Sequence, residues 1–427
     1  MQTLAKHKIL ALGAVLTTAL ACAGSESAMN RSTLDNAPSS DGVLAHWEEK
    51  PVLIGKGSGP QLLMKASEGM SLLYAAMDET GRQNLMYQSS HNIGDTFSKP
   101  YRVNSEPGEI SSHGENNPLL RPGAGIGMFA AWDSGKDIKF SRSMNFGRSF
   151  TPSIQVNDEG AQGYHSFQTM EVGPDGTIYA IWLDGRDKDS NIPGSSSLYL
   201  GRSTDRGATF EKNIRIAGDV CPCCRPAIAF DEKGKVFATW RTVHADNNRV
   251  VVVASSEDKG LTWSTGTPVT ADGWKINGCP HSGPSMAYAD GTLFLAWYTG
   301  ATNEAVLRAA RSSDGGKSFE VIEGVQGAVL DANHPELQMI DGDAWAIFQG
   351  RDPDSKSGWG VTEPWLVKIP AKGSVSAPQK VPSLGGSVSY PLLHSGAGGR
   401  IYATWTELTD EGPLAVLCRG RLANERP

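Results

Sequence analysis

Ser203-Thr-Asp205-Arg-Gly207-Ala-Thr209-Phe210 reads as a tight turn closed by an aromatic anchor. The carboxylate at its third position accepts bonds from turn N–H groups, and glycine at its fifth permits positive φ. The pattern Ser-x-Asp/Asn-x-Gly-x-Thr/Ser-aromatic returns at residues 90–97, 143–150, 256–263 and 312–319. A second repeat, aromatic-x-x-Trp at the end of an apolar run, lies upstream of each turn. It occupies 129–132, 179–182, 237–240, 294–297 and 402–405, with Met77 and Phe348 replacing Trp in 74–77 and 345–348. These seven copies lie 50 to 58 residues apart. A Gly- or Asp-rich turn such as Pro174-Asp175-Gly176 precedes each copy, and another apolar run precedes the turn. Hairpins repeated at this period predict the blades of an all-β ring.

Five turns in register resemble the Asp-box, or BNR, repeat of the sialidase-like β-propellers, here in the form of an exported bacterial lipoprotein. The resemblance covers roughly 50–420. It implies units of four antiparallel strands, with the Asp-box between the third and fourth. The fold class predicted is an all-β β-propeller of seven blades, with the six blades of true sialidases as the alternative. The last unit supplies only three clear strands. Residues 44–55, with Trp47 and Val52-Leu53-Ile54, are expected to add the fourth and close the ring, removing an exposed edge. The Asp-boxes are read as structural turns, because each has too few oxygen ligands for calcium.

Composition narrows the function classes. The chain has 427 residues with 39% hydrophobic and 20% charged, which is globular; at net charge −7 it has no basic stretch suited to nucleic acid. Lys6 and Lys8 precede a short apolar stretch from Ile9 to Leu20, the pattern of a signal peptide over 1–21. Ala19-Leu20-Ala21-Cys22 resembles a lipobox, so Cys22 is the expected lipidation site; with Ala19 where Leu is preferred, ordinary cleavage near Ala21 or Ala23 stays open. Residues 22–43 then form a tether and 44–427 the propeller. The expected location is the bacterial cell envelope, facing the periplasm or cell surface, with the membrane touched only through the lipid.

Strand parity places the starts of the innermost strands on one face, around the central channel. His113, His165, Cys221, Cys223, Cys224, Cys279, His281 and His334 all fall in that layer. Thiolate and imidazole are ligands of soft and borderline metals. Cys221, Cys223, Cys224, Cys279, His281, His113 and His334 are therefore candidate ligands, with copper the expected ion and zinc the alternative. A disulfide such as Cys224–Cys279, or a redox-active dithiol, also suits an oxidising compartment. Cys221-x-x-Cys224 is followed by Arg225 and not His, which excludes c-type haem attachment. Cys418 sits in an apolar run and reads as a core thiol.

The resemblance also implies a glycosidic site. Tyr390 falls where sialidases carry their nucleophile, and Arg225 and His165 are the other catalytic candidates on this face. Arg186, Arg351, Asp133, Asp184 and Glu407 are further charged groups near it. Gly59-Pro60-Gln61 stands where the first arginine of the sialidase triad belongs, so sialidase activity is expected to be weak or absent. Three function classes follow: a metal-dependent oxidoreductase or metal-binding protein, an exo-glycosidase of the sialidase type, and a scaffold that binds a protein or glycan. A small molecule or glycan at the channel is the expected ligand.

Overall fold

Each apolar run pairs with the next across the turn that separates them. Val236–Val243 pairs with Arg249–Ser256 without a break from Val236↔Ser256 to Val243↔Arg249, as β-branched and aromatic sequences on a half-buried sheet should. The computed structural model describes residues 42–65, 69–187, 192–301, 304–355 and 360–423. The signal segment, Cys22 and nearly all of the tether lie outside the described residues. Among the described residues there are 29 strands and no helix, so no helix is long and apolar enough to cross a membrane.

The strands form six antiparallel sheets. Four hold four strands each in chain order, the first being Ser58–Met64, Met70–Met77, Gln83–Ser90 and Tyr101–Arg102. One sheet holds eight strands, in two halves joined by the single pair Val220↔Thr242. The sheet containing Ser387–Ser395, Arg400–Thr409 and Gly412–Leu422 gains its remaining strands from the other end of the chain. Ala45–Trp47 pairs with Leu422 to Gly420, and Val52–Lys56 pairs with Leu417 to Leu414. The expected fourth strand is thus present, split into two pieces on one partner.

The predicted turns lie between third and fourth strands. Asp205 Oδ1 accepts from the Ser203 hydroxyl at 2.8 Å and from the Ala208 and Thr209 amides at 2.9 and 3.0 Å. Asn92, Asn145, Asp258 and Asp314 hold the same kind of turn. The aromatic that follows packs back onto the preceding sheet: Phe150 meets Tyr87 edge-on at 5.5 Å and Phe210 meets Phe140 at 5.1 Å. Trp132, Trp182, Trp297 and Trp405 of the hairpin repeat are fully buried between sheets. Truncating any one to Ala should cost about 3–5 kcal/mol. Cys418 is buried in the same core.

The first strands of successive units lie against one another: Ser58–Met64, Leu119–Pro122, His165–Val172, Ala227–Phe230, Ser285–Ala289, Leu330–Ile340 and Ser387–Ser395. The last of these also lies against the first.

Candidate functional site

Four of these inner strands slip register near their starts, between Ser58 and Gln61, Ser166 and Thr169, Asn333 and Glu336, and Ser389 and Leu392. The residue inside each slip has positive φ: Gly59 at 60°, Phe167 at 56°, His334 at 50° and Tyr390 at 54°. Glycine adopts this freely, whereas each of the other three costs on the order of 1 kcal/mol. Prolines follow at Pro60, Pro335 and Pro391. Such bulges re-aim side chains, and here they bring His334 and Tyr390 to one pocket at the channel mouth.

The pocket is organised around the buried carboxylate of Glu115. Its Oε1 lies 2.9 Å from His334 Nδ1. The Gly283 amide donates to both oxygens at 2.8 and 3.0 Å, and the Arg225 amide donates to Oε2 at 3.1 Å. Tyr390 packs on His334 with ring centroids 4.5 Å apart, and its own amide donates to Gln349 Oε1 at 2.8 Å. Burial, reinforced by the Glu115 charge, pushes the Tyr390 phenol up to about 12, so it keeps its proton at neutral pH. The Arg225 guanidinium turns down the channel, where Nε donates to Gln168 O at 3.0 Å and Thr169 Oγ1 at 3.1 Å. Glu336 touches the channel lumen but is walled by protein. Burial pushes its carboxyl up to about 7, against the pull of Arg225 and Arg121. Tyr390, His334, Glu115, Glu336, Arg225 and Asn117 all line this pocket.

A cysteine group stands on the same layer. The turn from Cys221 to Cys224 brings Cys221 Sγ to 3.8 Å from Cys223 Sγ and 3.2 Å from Cys224 Sγ. The ligand atoms of Cys223, Cys279 and His281 also lie within 4.8 Å of one another. Cys221, Cys223 and Cys224 are buried, while Cys279 and His281 are exposed. All five described cysteines are free thiols.

The other candidates are engaged elsewhere. His165 is buried and shares its Nδ1 with Asp184 Oδ2 at 2.9 Å; Asp184 also takes Trp182 Nε1 at 2.8 Å and the Arg186 guanidinium. Asp133 accepts from Asn116 at 2.6 Å, Glu407 from Trp405 Nε1 at 3.0 Å, and Arg351 pairs with Asp331. His113 is exposed beside Phe167, at 6.2 Å between ring centroids. Neither His113 nor His334 belongs to a thiol group. Glu115 and Glu336 fall near the starts of inner strands in the sequence, but nothing in its pattern marks them as the carboxyls that meet Tyr390.

The sequence matches no protein-family model and no curated protein sequence. Solved structures share its fold. A protein of unknown function from Dyadobacter fermentans aligns over 89% of this chain and 97% of its own, with TM-score 0.50 at 14% identity. The polysaccharide lyase Uly1 aligns over 90% and 94%, with TM-score 0.51 at 12% identity. The K499G mutant of NanB sialidase from Streptococcus pneumoniae aligns over 89% and 94%, with TM-score 0.48 at 11% identity. At such identities the likeness concerns architecture alone. The class defined by these sheets is an all-β, β-propeller-type fold.

Proposed function

We propose that the channel-mouth pocket hydrolyses a glycan, in a ring of seven blades closed by the N-terminal strand. The seven-bladed closure is supported by bonds that tie the two ends of the chain. Gly59 N donates to Thr406 Oγ1 at 2.8 Å, Thr404 Oγ1 donates to Pro60 O at 3.1 Å, and Gln88 Nε2 donates to Ile54 O at 3.0 Å.

Fold alone assigns no chemistry. The observation that carries the glycosidase reading is the meeting in one pocket of Tyr390 and two carboxyls, Glu115 and Glu336, in different environments. Burial keeps Glu336 protonated towards neutral pH, as an acid for a leaving group must be. Tyr390 is the nucleophile: its phenol proton passes to Glu115, its oxygen bonds to the anomeric carbon, and the departing oxygen takes the Glu336 proton. Water then attacks the anomeric carbon and gives a proton to Glu336, while the departing Tyr390 oxygen takes back its proton from Glu115. The Nε of Arg225 is taken by Gln168 O and Thr169 Oγ1, and its charge stands near the Glu115 carboxylate. An anionic sugar gains little there, and a neutral glycan is the substrate class that fits.

The test is hydrolysis of a panel of neutral aryl glycosides and polysaccharides, with a sialoside as control. Tyr390→Phe and Glu336→Gln should each lower kcat at least 100-fold, about 2.7 kcal/mol of barrier, without shifting Tm. Activity that survives both changes, or activity confined to the sialoside, would overturn the reading.

A further inference from the structure

We infer that Cys223, Cys279 and His281 form a three-coordinate site for one Cu(I) ion, separate from the Tyr390 pocket. Their ligand atoms lie within 4.8 Å of one another, from loops that start adjacent inner strands. Among the described residues no further His, Cys, Asp or Glu completes this group as a fourth member. Two thiolates and one imidazole are soft donors, and a low-coordinate set favours Cu(I) over ions that require four or six ligands.

The tautomer of the imidazole is set by its neighbour. His281 Nδ1 lies 2.9 Å from the Cys279 carbonyl oxygen, which can only accept. The proton is therefore on Nδ1, and the Nε2 lone pair is left for a metal. A ring nitrogen fixed by a backbone carbonyl is the usual second contact of a ligating histidine. His281 is also held at a φ of 51°, a left-handed conformation that packing must enforce.

A second observation concerns charge. Arg241, 1% exposed, is buried against the Cys221–Cys224 turn, and its guanidinium donates to the carbonyl of Ser282, next to His281, at 3.2 Å and to Tyr298 O at 2.8 Å. Among the described residues it pairs with no carboxylate, and its Nε is buried without a hydrogen-bond partner. Its backbone carbonyl accepts from the Cys221 amide at 2.8 Å, which places the residue directly behind the thiols. A buried cation held by carbonyl oxygens and the Trp274 face, 5.0 Å away, but by no carboxylate, is stabilised further by a nearby anion. Binding of Cu(I) releases the thiol protons of Cys223 and Cys279 to solvent, leaving a centre of net charge −1 on the two loops, 221–224 and 279–282, that Arg241 contacts. Cys221 and Cys224, 3.2 Å apart, stand behind the site as a dithiol and are not part of the triad. Exposure of Cys279 and His281 opens one side of the ion to solvent, so it can be exchanged.

The full chain, purified without added metal under anaerobic conditions, is titrated with Cu(I) against a chromophoric Cu(I) chelator. One equivalent should bind, with X-ray absorption showing two sulfur and one nitrogen ligand. Cys279→Ser and His281→Ala should each weaken binding at least tenfold, while Cys224→Ser and Tyr390→Phe should leave the stoichiometry at one. Circular dichroism checks that each variant is folded, and Cys224→Ser serves as the control for a cysteine change in the same turn. The site would be overturned by no Cu(I) retained by wild type with all thiols free by alkylation, by binding unchanged in Cys279→Ser/His281→Ala, or by one equivalent of Zn(II) taken in preference to Cu(I). A Cys223–Cys279 disulfide in protein isolated from an exporting host would also overturn it, making the pair a staple between blades.

Discussion

His334 Nδ1 lies 2.9 Å from Glu115 Oε1, joining two residues 219 positions apart across the channel mouth. The same carboxylate takes the amides of Gly283 and Arg225. Glu115→Ala leaves these buried donors without an acceptor, and the loss expected is about 2–5 kcal/mol in urea unfolding. Glu115→Gln keeps one acceptor oxygen and should lose less than half as much. Equal losses for the two variants would mean that side-chain volume, and not the hydrogen bonds, holds the mouth together.

In the proposed hydrolysis, Glu336 sets the alkaline limb. A carboxyl raised to about 7 is protonated below that pH and ionised above it. As the proton donor, it should make kcat fall as pH rises through about 7, and Glu336→Gln should abolish that limb along with most of the rate. The stability effect has the same direction. The folded state keeps a proton that the unfolded chain releases near 4.5, so this contribution is complete below that value and is lost as pH rises to about 7. A pH–rate profile and urea midpoints at pH 4.5 and 8 measure the two effects.

The outer frame of this protein was legible because it is local. Gly207 and Asp205 act on the turn that contains them, and Trp182 marks its own hairpin. The layer of Cys279, His281, His334 and Tyr390 was legible through strand parity, which needs only the count of strands. What meets what across the channel was not. Glu115 finds Gly283 and His334 through the packing of separate sheets on one another, and no spacing in the sequence encodes that arrangement. The backbone slip that turns Tyr390 was also hidden, since Ser389-Tyr390-Pro391 reads as an ordinary extended start. His165 and Asp184 illustrate the reverse case: their pairing is direct cross-strand register, yet an unknown hairpin length concealed it.

His394 should shape the acid limb of stability. It lines the channel below Glu336, with Nε2 3.1 Å from Thr404 Oγ1. Burial, with Arg121 nearby, pushes its pKa down to about 3 from 6.5. The unfolded chain therefore binds a proton that the folded state refuses. Stability from this group is complete above pH 6.5 and is lost as pH falls towards about 3. Because the lumen admits water, the effect should be on the order of 2 kcal/mol rather than the full shift. Urea unfolding of His394→Gln across pH 4 to 7 should give a flatter curve than wild type; parallel curves would show that the imidazole is solvated.

The N-terminal strand should be required for a monomer. Ala45–Trp47 and Val52–Lys56 cover the outer edge of Gly412–Leu422. Deleting residues 42–56 uncovers that edge, a template for pairing with another chain. The truncated protein should show concentration-dependent oligomers in light scattering and a Tm lower by several degrees. A monomer with unchanged Tm would rule out a structural role for this strand.

Gly207 and Gly234 separate the two reasons for glycine in these turns. Both have positive φ, 75° and 88°. A Cβ on Gly234 would meet nothing within 4 Å, whereas one on Gly207 would lie 2.4 Å from the Phe140 ring of the preceding sheet. Gly234→Ala should therefore cost only the left-handed backbone penalty, about 1 kcal/mol. Gly207→Ala carries the same penalty plus overpacking of about 1–3 kcal/mol, because Phe140 is buried and has no space into which to retreat. Phe140→Leu in the Gly207→Ala background should recover part of the second term and none of the first. Urea midpoints at constant m-value read the difference directly. Neither glycine touches the channel mouth, so hydrolysis by folded Gly207→Ala should match wild type. Equal destabilisation by the two single changes would mean that the Asp-box glycine serves only its own turn and not the packing of one blade on the next.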